Sequence, residues 1–299
     1  MDESDVPWVQ IQSLDELWFQ VAGTLCNLSC NHCFISCNPK NQSFGFLDLE
    51  RIRSFLEESV ELGVKEYYFT GGEPFLNKEM AAILEETLRF GPATVLTNGT
   101  VFRERLASEL RRIADGNRYS LEIRVSIDGP DAEMNDPIRG EGTFEDAMRG
   151  VELLARHGFL PIITMVQTWP ESETLTVLDR FGAELHRRGY SRPRFKLLPT
   201  LRIGMEADRT RGYLPEERIT AQMLDDYDAS QLICSHSRIV TDRGVAVCPI
   251  LIESPASHMG NTLRSAMKQF PVDSPACYTC YLHGSICTNT AQSLPGRDR

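Results

Sequence analysis

A curved, partly open barrel of six parallel β-strands separated by helices, followed by a small cysteine-rich module, is the α/β fold that the sequence predicts. Three observations carry it. Short β-branched or aromatic runs alternate with helix-period segments from residue 17 to residue 199. Six such units fall short of the eight that close a barrel. After residue 230 the composition changes, and five of the nine cysteines gather there. The expected division is a barrel over 1–205, a linker over 206–229 and the module, with a hairpin in it, over 230–299.

LWFQVAGT (17–24) reads as the first strand, and LDLERIRSFLEESVELG (47–63) as a helix with apolar residues three and four apart and a glycine stop. KEYYFT (65–70) is the second strand. NKEMAAILEETLRFG (77–91) follows as a helix, with Asn77 as its cap and Gly91 before Pro92 as its stop. Strands ATVLTN (93–98), YSLEIRVSID (119–128), LPIITMVQT (160–168) and RPRFKLLP (192–199) alternate with helices at 101–115, 143–158 and 172–189. Such repetition implies right-handed crossovers, a parallel sheet and ligands at the carboxyl ends of the strands. Residues 202–230 are charged and turn-rich, an excursion with one helix. RIVTDRGVAV (238–247) reads as a hairpin turning at Asp242-Arg243-Gly244.

The net charge of −11 works against a nucleic-acid partner, which needs a basic footprint. Arg103, Arg105, Arg111 and Arg112 read as a solvated helix face. The acidic start MDESDVPWVQ has no signal-peptide core, and no apolar run approaches the length of a membrane span. The expectation is a cytoplasmic protein with no membrane partner. In that reducing compartment nine cysteines serve as metal or redox ligands rather than disulfides, and their odd number leaves one unpaired in any disulfide scheme.

Cys26-Asn-Leu-Ser-Cys30-Asn-His-Cys33 directly follows the first strand. Three thiolates at this spacing on a four-iron cluster leave one iron open to a ligand from solution. A zinc knuckle completed by His32 or Cys37, or a set of buried thiols, is the alternative. Gly71-Gly72-Glu73-Pro74 follows the second strand, where glycines permit close backbone approach to a ligand or simply make a turn. Thr97-Asn98-Gly99 ends the third strand, and Asn-Gly favours a turn on its own. Ser126-Ile127-Asp128-Gly129 ends the fourth, with Arg139 shortly after; a helix cap and a surface arginine are their bland readings.

Taken together, the CxxxCxxC run and the GGEP turn one unit later resemble the signature of the radical S-adenosylmethionine (SAM) superfamily. The resemblance covers about residues 17–200. It implies a [4Fe-4S] cluster on Cys26, Cys30 and Cys33, with SAM chelated on the open iron and cleaved to a 5′-deoxyadenosyl radical. It further implies that His32 lies against the adenine and that Gly71, Gly72, Glu73 and Pro74 form the SAM amino-group site. Asn98, Ser126 and Arg139 are the remaining candidate SAM contacts, Arg139 as a charge partner. Cys37 falls outside the motif and reads as a bystander.

Cys234-x9-Gly244-x3-Cys248, Cys277-Tyr-Thr-Cys280 and Cys287 resemble the auxiliary-cluster modules called SPASM and twitch. Five cysteines favour the twitch form, with one further [4Fe-4S] cluster on Cys234, Cys248, Cys277 and Cys280 and Cys287 spare. A zinc ribbon fits the CxxC pair nearly as well. SPASM relatives carry an aspartate after the hairpin-closing cysteine as proton acceptor, where this chain has Pro249. Lys196, Arg202 and Glu206 are the weak candidates for that role, each equally an ordinary salt-bridging residue.

The favoured expectation is an oxidoreductase acting on a small polar metabolite such as a sugar or aminocyclitol, with the second cluster as electron acceptor. The short segment ahead of Cys26, with no room for a peptide-recognition domain, supports it. Modification of a ribosomally made peptide or a protein side chain is the alternative, and an iron-sulfur electron-transfer protein without SAM turnover is the third. A reductant such as flavodoxin or ferredoxin is the expected partner.

Overall fold

The computed structural model describes residues 6–287; residues 1–5 and 288–299, the acidic start and the end of the expected module, lie outside the described residues. A two-residue strand, β1 (Trp8–Val9), comes first. Then β2 (Glu16–Gln20), α1 (Leu49–Glu61), β3 (Glu66–Thr70), α2 (Met80–Thr87), β4 (Ala93–Thr97), α3 (Glu104–Asp115) and β5 (Leu121–Ser126) alternate as expected. Beyond β5 come α4 (Ala132–Arg139), α5 (Thr143–Arg156), β6 (Ile162–Val166), α6 (Thr174–Arg187) and β7 (Arg194–Leu198). The strands from β2 to β7 lie side by side in chain order, all parallel. The barrel does not close.

Each helix forms for local reasons. Asp48 caps α1 by accepting the Arg51 N–H at 2.8 Å, and Ile52, Phe55, Leu56 and Ser59 turn one face onto the sheet. Two details differ from expectation. Asn77 does not open a helix at 77; its amide donates to the carbonyls of Val21 and Leu47 at 2.9 and 2.8 Å, so α2 starts only at Met80. The sequence reading also leaves residues 129–142 without an element, and the helix that forms there holds Pro137, a residue that disfavours helix interiors. Asp131 nevertheless caps α4 through the Met134 N–H, and that helix delivers Arg139.

After β7 the excursion carries α7 (Met205–Arg209) and α8 (Ala221–Leu224). The expected hairpin forms as β8 (Ser237–Thr241) and β9 (Gly244–Ala246), and β8 continues the barrel's own sheet as a parallel neighbour of β2. β10 (His258–Gly260) adds to β9, making nine strands with β7 and β10 at the edges. α9 (Leu263–Ala266), β11 (Phe270–Pro271), which pairs with β1, and α10 (Pro275–His283) complete the described chain. Arg238, wholly buried on β8, donates to the carbonyls of Cys234, Ser237, Ala266 and Lys268, all within 2.9 Å, and so ties β8 to the segment around α9. A buried cation survives because its donors are satisfied.

The main core lies between the sheet and the outer helices. A second, smaller core fills the barrel interior, where Trp18 and Tyr68, paired in register, stack at 4.3 Å with Cys26, Ile35, Cys37 and Phe44 around them. The loop after β2 is thus folded down into the barrel mouth. Among the described residues no helix is long and apolar enough to cross a membrane.

Candidate functional site

A cavity of about 210 Å³ opens at the carboxyl ends of the parallel strands. Cys26, Cys30 and Cys33 line it from the loop after β2, Gly71 and Gly72 from the loop after β3, and Asn98 from the end of β4. Ser126 on β5, Arg139 on α4, Lys196 on β7 and Glu206 on α7 face the same space. Strand ends from separate units converge there because a parallel sheet aims every strand the same way.

The GGEP turn is tied to the cysteine loop. Gly72 N–H donates to Gly23 O at 2.9 Å and Glu73 N–H to Leu25 O at 3.0 Å. A Cβ on Gly72 would lie 1.9 Å from the Leu25 carbonyl oxygen, so this glycine is required by backbone packing one residue before Cys26. Gly71, at φ +147°, adopts a backbone that side chains disfavour. Glu73 is wholly buried and faces neighbouring loops: its carboxylate accepts from Asn98 N–H and Thr97 Oγ1 at 2.8 Å and from Phe75 N–H at 3.2 Å. Burial raises its carboxyl to about 7 against the pull of those donors. Pro74 is buried and starts a single tight turn.

Asp128 is the residue that sequence reasoning missed. Its wholly buried carboxylate has Oδ2 2.6 Å from both His32 Nε2 and Arg139 Nε, while Oδ1 accepts the Val166 N–H at 2.7 Å. Burial would raise this acid, but the charges of Arg139 and then His32 outweigh it and hold it low. His32 and Arg139, expected as separate SAM contacts, both line the cavity and are also linked to each other through the Asp128 carboxylate. The signal was present: Asp128 follows a strand end, and Asp131 caps the helix that carries Arg139.

The thiols differ in character. Burial pushes Cys26 up to about 12 and Cys30 to about 11, whereas a hydrogen bond from Cys37 lowers Cys33. Asn98 Nδ2 reaches Cys26 Sγ at 3.8 Å and Asn27 Oδ1 at 2.8 Å. The excursion after β7 also touches this loop, with Met205 N–H on the Cys33 carbonyl at 3.0 Å. Of the three proton-acceptor candidates, Arg202 is held by Glu217 at 2.5 Å and Glu206 by Arg209 at 2.8 and 2.9 Å. Lys196 faces the cavity, with burial and then Arg124 lowering its amine to about 8.

Cys234, Cys248, Cys277 and Cys280 come together in a second, wholly apolar pocket with Ile233, Val247 and Phe270. All nine cysteines are free thiols. Cys287 lines the first cavity beside Lys196 and Pro249, yet it stands near enough to Cys280 and Cys248 for the thiols, already raised by burial, to raise one another. Among the described residues no three His, Cys, Asp or Glu side chains close on a single metal ion. Four thiols lining one apolar pocket are residues that could hold an iron-sulfur cluster, in which each sulfur binds a different iron.

Residues 21–180 match the model of the radical SAM superfamily, and the chain belongs to that superfamily. Its members are enzymes of radical chemistry, and membership implies a [4Fe-4S] cluster and SAM. The chain is 33% identical over 135 residues to the AdoMet-dependent heme synthase of Oleidesulfovibrio alaskensis, covering 44% of this chain and 33% of that protein. It is 28% identical over 142 residues to the antilisterial bacteriocin subtilosin biosynthesis protein AlbA of Bacillus subtilis, covering 47% and 30%. The match thus spans about a third of these curated relatives. In fold the chain resembles native anSMEcpe with bound AdoMet (TM-score 0.61, 17% identity, 84% of this chain and 79% of that one). It also resembles Streptococcus suis SuiB bound to precursor peptide SuiA (TM-score 0.62, 14% identity, 89% and 66%).

Proposed function

We propose that this chain is a radical SAM enzyme that modifies a side chain of a peptide or protein, with its first cluster on Cys26, Cys30 and Cys33. When bound, that cluster supplies the electron for reductive cleavage of SAM. The chain's own residues then have three tasks. Gly71, Gly72 and Pro74 shape the turn that the SAM amino group meets, with Glu73 bracing it from behind. Asn98 and Ser126 offer polar contacts at the strand ends, and Asp128 holds His32 and Arg139 in place beside the cysteine loop.

The expectation of a sugar or aminocyclitol gives way to the peptide alternative, and the cavity wall is the observation that carries it. Beside the SAM-facing groups the wall is mostly apolar, with Leu28, Phe34, Leu96, Leu198, Leu201 and Ile286 prominent. A polyhydroxylated ring on such a wall would find few partners beyond Thr164, Lys196 and Thr200, each buried hydroxyl left unpaired being a loss of about 1–3 kcal/mol, whereas an apolar or aromatic side chain gains by burial. AlbA, a bacteriocin biosynthesis protein by name, fits the same reading.

A second cluster on Cys234, Cys248, Cys277 and Cys280, in a module over 230–299 joined by a linker over 206–229, is part of this proposal. Its support is the shared apolar pocket of those four thiols. The test is anaerobic incubation of the reconstituted chain with SAM, dithionite and mixtures of synthetic peptides, against mixtures of sugars and aminocyclitols. Mass spectrometry should find a peptide losing hydrogen or gaining a cross-link in step with 5′-deoxyadenosine. Turnover confined to the sugar mixtures would contradict the reading.

A further inference from the structure

On the reading that this chain modifies a peptide, we infer that Thr164 and Lys196 form a subsite for a carboxylate of the substrate, so that the residue taken into the cavity is acidic or carries the free C-terminus. Ser126 on β5, Thr164 on β6 and Lys196 on β7 are register partners across three parallel strands, and all three line the cavity. Residues in one register row share a face of the sheet, so the three make a polar shelf across the barrel interior. Val166 and Leu198, two residues nearer the carboxyl ends of their strands, are paired in the next row and are apolar. A side chain entering at the mouth passes that apolar row before its head group meets Thr164 and Lys196.

Thr164 is the residue that asks for a ligand. It is 5% exposed, yet its Oγ1 has no hydrogen-bond partner among the described residues. A buried hydroxyl left unpaired costs stability, so valine, of the same shape, would serve the fold better. Its polarity therefore serves something that enters the cavity. Lys196 beside it brings an ammonium that keeps its proton at neutral pH, since burial lowers it only to about 8. A carboxylate, which only accepts and has two oxygens, suits two donors side by side. Among the described residues that line the cavity the single carboxylate is Glu206, and Arg209 holds it at 2.8 and 2.9 Å. Arg124, two residues before Ser126 on β5, lines the same side and is anchored to the Cys287 carbonyl at 2.9 Å. Positive charge from β5 and β7 favours an anion there over a neutral amide of the same shape.

The test uses the anaerobically reconstituted full chain with SAM, dithionite and two synthetic peptide mixtures, matched save that Glu and Asp in one are Gln and Asn in the other. Each is made with a free and with an amidated C-terminus. Turnover should require one carboxylate, lost with Gln and Asn if it is a side chain and lost on amidation if it is the C-terminus. For the peptide so identified, Lys196→Met should raise KM about tenfold, with a smaller change in kcat, as expected for one charge-assisted hydrogen bond. Lys196→Arg should restore most of that loss. Thr164→Val should raise KM about threefold while SAM affinity and the urea midpoint hold, because its hydroxyl has no partner in the fold to lose. Equal turnover of all four mixtures overturns the inference. So does a loss of kcat at unchanged KM in Lys196→Met, which would make Lys196 a proton carrier, or weaker SAM binding in Thr164→Val, which would give that hydroxyl to SAM. Formation of 5′-deoxyadenosine with no peptide modified in any mixture sinks the peptide reading itself, and the subsite with it.

Discussion

Asp128 and Arg139 form a buried ion pair, Oδ2 to Nε at 2.6 Å, that joins the end of β5 to the last turn of α4 beneath the cysteine loop. Removing the carboxylate leaves the Arg139 charge buried without its partner, an imbalance worth about 3–5 kcal/mol. Asp128→Asn should therefore lower unfolding stability by that order and weaken SAM binding. Urea denaturation with a SAM binding isotherm checks both. Equal stability in the variant would mean that the pair holds nothing together.

Gly72→Val should disturb the cysteine loop itself. The added carbon would meet the Leu25 carbonyl oxygen, one residue before Cys26. Iron content should fall together with SAM affinity. Gly182→Ala, where an added Cβ meets nothing, should leave both unchanged. Iron analysis and equilibrium dialysis with SAM separate this outcome from a pure ligand clash, in which iron stays.

Much of this site was legible because its chemistry is local in sequence. Cys26, Cys30 and Cys33 share one loop, and Gly71 to Pro74 follow a strand whose aromatic run is unmistakable. Asp128 was harder to read, because its role depends on His32 and Arg139, 96 residues before it and 11 after. The four-cysteine pocket likewise joins a turn, a hairpin end and a helix, and Cys234, Cys248, Cys277 and Cys280, grouped in the sequence by their resemblance to an auxiliary-cluster module, all line it. The attachment of β8 to β2 was hidden, since a hairpin reads the same alone or at a sheet edge. Substrate preference was not legible, because cavity-wall polarity is set by side chains from six strands and their loops.

Glu16 gives a pH prediction. Burial raises its carboxyl to about 7, against 4.5 for an unperturbed glutamate. The folded state then holds this proton over a range where the unfolded chain has released it, so stability is lost as pH rises from about 4.5 to about 7 and is flat above. Glu16→Gln removes that loss. The difference between the two proteins should change by up to about 3 kcal/mol between pH 5 and pH 8. Urea unfolding at the two pH values reads it, and a constant difference would show that Glu16 titrates normally.

Replacing Cys277 and Cys280 together with alanine should reduce the iron of the reconstituted chain from about eight atoms to about four. Slow 5′-deoxyadenosine formation should persist while oxidised product is lost. Circular dichroism must accompany the assay, because small metal-bound modules draw folding energy from their site. A folded variant forming product at the unaltered rate would leave the second site structural.

The central claim is that Cys26, Cys30 and Cys33 hold the cluster that cleaves SAM. Its most direct test is 5′-deoxyadenosine production by the anaerobically reconstituted chain, with and without the triple replacement Cys26→Ala, Cys30→Ala and Cys33→Ala. The unaltered protein should form 5′-deoxyadenosine from SAM and dithionite, and the triple variant should form none while keeping about four irons at the other site. Stoichiometric zinc with no cluster absorbance in the unaltered protein, or undiminished 5′-deoxyadenosine from the triple variant, would contradict the account.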